Sequence, residues 1–201
     1  MRYLASVLLI VLALATGAVA AIAPGLSLEQ QRRLAGGDIV LLDSLPPGAG
    51  SASQGGTALT VVNAPPDTVW HVVVNYRGHS GLYPRVVGAE VVESDEQHAL
   101  VRYVIGVGPF VFGFHVNNYP DPARRRLVWR LADDRANNLF RETSGYWQID
   151  GTEAGSMLTY AMAARTVLPA FVTRSAERHG LIQTITAVRK RAEEAARLAQ
   201  P

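Results

Sequence analysis

The chain has no cysteine in its 201 residues. That excludes disulfides, thiolate-bound metal, thiol catalysis and an N-terminal lipidated cysteine. Charge is also scarce: 18% of residues are charged and the formal net charge is only +2. The basic residues are scattered or mixed with acids, as in "RKRAEEAAR" from Arg189 to Arg197. This is the pattern of a solvated helix face, so no nucleic-acid partner is expected. Histidines occur at 71, 79, 98, 115 and 179, and none has the spacing of a metal motif or stands beside a nucleophile. "GVGPFVFGF" is rich in glycine but lacks the strand-loop-helix context of a phosphate cradle. Asp133-Asp134 reads as a turn, not an acid/base pair. No catalytic residue, metal or cofactor is expected, and no internal repeat is visible.

Apolar residues make up 48% of the chain, enough for one domain with a real core. They begin at once: "MRYLASVLLIVLALATGAVAA" has one Arg, a continuous apolar run and the small-x-small pattern Ala18-Val19-Ala20. We expect a secretory signal cut after Ala20. The alternative is a retained anchor, because Leu4 to Ala23 is uncharged and about long enough to span a bilayer. Either outcome puts the bulk of the protein outside the cytoplasm, in a periplasm. The expected organisation is a signal at 1–20, an N-terminal extension with a flexible loop at 21–56, and one domain at 57–198.

In the extension, "SLEQQRRLAGG" reads as a short helix with Ser27 as N-cap and Gln30 completing a capping box. "DIVLLDSL" reads as a brief strand, and "PPGAGSASQGG" as a flexible turn region. The stretch "NAPPDTVWHVVVNY" sets propensity against start signals. β-Branched residues favour strand, but Pro65, Pro66 and Asp67 suit a first helical turn. Val69, Val72, Val73 and Tyr76 then trace one apolar stripe, so a helix is expected. Strands are expected at Thr57–Asn63, Val86–Glu93, Ala99–Val107, Phe110–Asn118, Arg126–Leu131, Asn138–Asp150 and Gly155–Thr166. Their apolar and polar residues alternate as in half-buried strands, and six of them form a meander. From Pro169 the spacing of Leu181, Ile185, Val188, Ala192 and Ala195, joined by Phe171, Val172, Ser175 and Ile182, marks a long helix. At roughly 45 Å for about 30 residues it would cross the whole sheet, with Gly180 as a place to bend.

The predicted fold is therefore α+β, a curved antiparallel sheet wrapped around a long C-terminal helix, with two short helices after the domain's first strand. Three stretches carry a resemblance to a known family: "APPDTVWHVVVNYRGHSGLYPRV", "SGYWQI" and "MLTYAMAARTVLPAFV". Over Thr57 to Arg197 the chain resembles the START-like, helix-grip superfamily, within it the polyketide cyclase/dehydrase and coenzyme Q-binding branch. The resemblance implies a deep apolar cavity holding a lipid, isoprenoid quinone, polyketide or similar molecule. These motifs specify fold, not ligand. Because the quinone-binding and aromatase members are intracellular, neither activity follows for an exported chain.

Parity on the strands and the C-terminal helix puts Tyr103, Ile105, Phe112, Phe114, Trp129, Arg141, Trp147, Tyr160, Met162, Phe171 and Val172 on the inner face. There they either pack a core or, as the resemblance implies, line a cavity; spacing does not separate the two. Arg141 shares its parity with Trp147, yet a bulge would turn it outward. The leading expectation is a binding or transport protein for a hydrophobic small molecule or lipid, with transient membrane contact. A cyclase or dehydratase is the alternative, drawing its acid or base from Arg141, Glu142, Tyr103, Tyr160 or His115. A third reading is an interaction module with a filled core, favoured by an inner space below roughly 300 Å³.

Overall fold

The computed structural model describes residues 25–167 and 170–199, so the expected signal segment lies outside the described residues. Helix α1 (Leu28–Ala35) opens with the capping box: the Gln30 amide donates to Ser27 Oγ and the Ser27 amide to Gln30 Oε1. Gly37, at φ +85°, turns the chain out of it into β1 (Val40–Leu42). The next segment is more fixed than its composition suggests. Pro46 and Ser53 are buried, and the Gly50 amide donates to Glu142 Oε1 at 2.8 Å.

Then come β2 (Gln54–Val62), α2 (Pro66–Val74), a 3-10 turn (Tyr76–His79) and six strands. These are β3 (Val86–Ser94), β4 (Ala99–Val107), β5 (Phe110–Asp121), β6 (Arg126–Leu131), β7 (Phe140–Thr152) and β8 (Gly155–Thr166). All pair antiparallel in one sheet of order β1-β2-β8-β7-β6-β5-β4-β3. β4, β6 and β8 have the expected bounds, and the others move by up to three residues. Register shifts in β3, at Val86/Gly88 and Val91/Glu93, and in β7, at Phe140/Glu142, bend the sheet.

The proline-led stretch is a helix, as its start signals required. Its buried face is Val69, Trp70 and Val73, while Val72 is half-buried. Asn75 caps the helix and accepts the Gly78 amide, so Tyr76 lies in the turn that follows, yet it still packs against the core. Helix α3 (Ala170–Leu198) passes through Gly180 without a break. Leu181, Ile185, Val188 and Ala192 are 0–2% exposed against β2 and α2, whereas Ile182, expected on that stripe, is 38% exposed. Arg189 reaches from α3 to the Gly37 carbonyl (2.9 Å) and Thr60 Oγ1 (3.0 Å), tying the extension to the helix. Among the described residues no helix is long and apolar enough to cross a membrane.

Candidate functional site

An apolar cavity of about 190 Å³ remains between the inner faces of β4 to β8, the segment after the 3-10 turn, and α3 at Thr184. Strand parity puts its aromatic wall together. Trp147 and Tyr160, cross-strand partners on β7 and β8, stack with centroids 4.1 Å apart. Tyr83 stacks on the Trp147 ring at 6.2 Å. Tyr103 stacks with its cross-strand neighbour Phe114 at 5.8 Å, and Phe114 meets Phe140 edge-on at 4.8 Å. Trp129 lies directly across from Gly145 on the neighbouring strand. A Cβ on Gly145 would sit 2.5 Å from the indole, so the glycine gives Trp129 its place.

Polar side chains interrupt this wall at His79, Asn118, Thr143 and Thr184. His79, 2% exposed, lies within 2.8 Å of the Tyr103 hydroxyl through Nδ1 and 3.0 Å of the Val73 carbonyl through Nε2. The Tyr83 hydroxyl is 3.3 Å from the same Nε2. Burial lowers the imidazole pKa to about 4, against the raising effect of backbone hydrogen bonds at Val73 and Val72. His79 is therefore neutral at physiological pH. Burial likewise pushes the phenols of Tyr83, Tyr103 and Tyr160 far up, so all three stay protonated. Among the described residues lining the cavity there is no Asp, Glu, Lys or Arg. The site can hold an uncharged molecule and offer it hydroxyls.

Of the expected lining, Tyr103, Phe114, Trp129, Trp147, Tyr160 and Met162 meet at the cavity. Ile105 and Phe112, paired across β4 and β5, lie beyond it: Ile105 packs on the core, and Phe112 meets Phe110 at 6.5 Å. Arg141 is corrected: the β7 bulge turns it out to solvent and leaves Phe140 and Thr143 facing in. The side chains of Phe171 and Val172 lie outside the described residues. Two candidates for acid/base work are also elsewhere. Glu142 accepts from Gly50 and lies 3.9 Å from Arg165, and His115 faces away from Phe114 and Val116 on β5. Sequence reading missed His79, because a lone histidine in a loop gives no signal until Tyr103, far along the chain, is brought to it.

A sheet curled about a C-terminal helix over an apolar cavity is the helix-grip arrangement, and it defines a START-like protein. The chain belongs to the polyketide cyclase/dehydrase and lipid transport family, whose sequence profile matches residues 62–189. No curated protein matches it in sequence. Among solved structures it is similar to a STAR-related lipid transfer protein from Xanthomonas axonopodis, at 13% identity and TM-score 0.62, covering 77% of this chain and 92% of that one. It is also similar to the Zhui aromatase/cyclase of a Streptomyces species, at 21% identity and TM-score 0.59, covering 71% and 95%. A START superfamily protein from Mycobacterium smegmatis aligns at 14% identity and TM-score 0.59, covering 69% and 97%. Identities this low establish the fold alone. The family supports binding of a hydrophobic small molecule or lipid.

Proposed function

We propose that this protein binds a small uncharged molecule of one or two rings between its sheet and C-terminal helix, outside the cytoplasm. The carrying observation is the cavity: aromatic, uncharged and still open at about 190 Å³. An apolar cavity of about 150 Å³ is filled by benzene, so there is room for one substituted ring or two fused rings. The volume lies below the roughly 300 Å³ at which ordinary ligand pockets begin. Size alone thus favours a filled-core module and argues against a long-chain lipid in this conformation. What supports a ligand is the stacked ring surface of Trp147, Tyr160 and Tyr83 beside an open space, which a flat molecule can cover. Burial of ring surface at about 25 cal/mol per Å² would supply the affinity. Native mass spectrometry of the purified protein tests this, with retention of a neutral one- or two-ring compound expected. A protein that retains nothing and binds no such ring from a metabolite library would overturn the reading.

A cyclase or dehydratase is the second reading, supported by the Tyr103–His79 pair at the cavity wall. It requires turnover. Recovery of every bound compound unchanged after incubation would leave binding alone.

A further inference from the structure

Resting on that binding reading, we propose that Tyr103 is the specificity-determining residue and selects a ligand whose ring carries a hydroxyl that donates to it. The argument is one of hydrogen-bond direction. The Val73 carbonyl can only accept, so His79 Nε2, 3.0 Å away, carries the imidazole proton. Because the imidazole is neutral, Nδ1 is then a bare lone pair, and the Tyr103 hydroxyl at 2.8 Å must donate to it. Tyr103 has no second proton, so its oxygen offers the cavity lone pairs only. A ketone, ether or ester oxygen placed there would set lone pair against lone pair. A hydroxyl completes the chain: ligand O–H to Tyr103, Tyr103 O–H to His79, His79 N–H to Val73.

The surroundings narrow the class further. No charged side chain among the described lining residues would pair with a carboxylate or phosphate. The stacked faces of Trp147, Tyr160 and Tyr83 suit a flat ring. The ligand class is thus a neutral, planar, hydroxylated ring compound, a phenol or naphthol.

Calorimetric titration of the full-length protein with naphthalene, naphthol and methoxynaphthalene is the test. Naphthol is expected to bind about tenfold tighter than the other two, the worth of one well-formed hydrogen bond. Tyr103→Phe should keep naphthalene binding and abolish the preference. Because that variant strands His79 Nδ1, nitrogen NMR of the unaltered protein provides a second measurement, with Nδ1 expected unprotonated. Equal binding of the three probes, preference for the ether, or a protonated Nδ1 would overturn the inference and leave the binding reading standing. If no probe binds, the inference falls, and the native mass spectrometry decides the binding reading separately.

Discussion

His79 couples the cavity to pH. Unfolded, its imidazole takes a proton near the ordinary 6.5; folded, it resists until about 4. Between those values the unfolded chain binds more protons, so stability rises with pH through that window and is lost as pH falls through it. From pH 6.5 down to about pH 5 this amounts to about 2 kcal/mol. Urea midpoints across that range should show the loss, and His79→Leu, less stable at neutral pH, should show a flatter dependence. Tyr76 makes the opposite case. Its hydroxyl is buried with no hydrogen-bond partner among the described residues, and burial pushes its pKa up to about 12. Tyr76→Phe removes an unpaid desolvation cost and is expected to raise the unfolding free energy by about 1 kcal/mol, measurable in the same urea series. Residue identity could be read from parity for Tyr103, Phe114, Trp147 and Tyr160. It could not be read for His79, whose role is set by contacts between distant segments.

Elements were largely legible, since capping, turn chemistry and alternation are local physics. Ser27 and Gln30 announced α1, and Pro66 and Asp67 outvoted the valines of α2. Failures came where one extra residue changes everything after it. The β7 bulge lies between Phe140 and Glu142, and no residue type there signals it, so parity counted back from Trp147 put Arg141 inside. Gly145 is the converse, a residue whose meaning appears only across the strand. Gly145→Ala would push into the Ala161 carbonyl and the Trp129 indole and is expected to cost about 1–3 kcal/mol, read from the thermal midpoint. On α3, Ile185 is fully buried, and Ile185→Ala should cost about 2–5 kcal/mol in urea unfolding.

For the whole molecule, the order of elements was enough to give the architecture, because a six-strand meander followed by a long amphipathic helix has few ways to bury both faces. The amount of space left inside was not legible, since identical aromatics fill a core or wall a cavity. Export is argued from residues 1–20 alone. We expect N-terminal sequencing of protein recovered from a periplasmic fraction to begin at Ala21, whereas recovery only in the membrane pellet would identify a retained anchor.

The two edges of the sheet have different fates. β1 is only three residues long, and α1 packs beside it through Leu34, fully buried against Val40 and Leu59. β3 is uncovered, yet it is interrupted twice and carries Glu90 and Glu93. A neighbouring chain seeking to add a strand there meets a ladder with missing rungs and charged pairs, Glu90 with Arg102 and Glu93 with Arg135. The protein can thus leave one margin of its sheet bare at high local concentration without inviting fibrous growth.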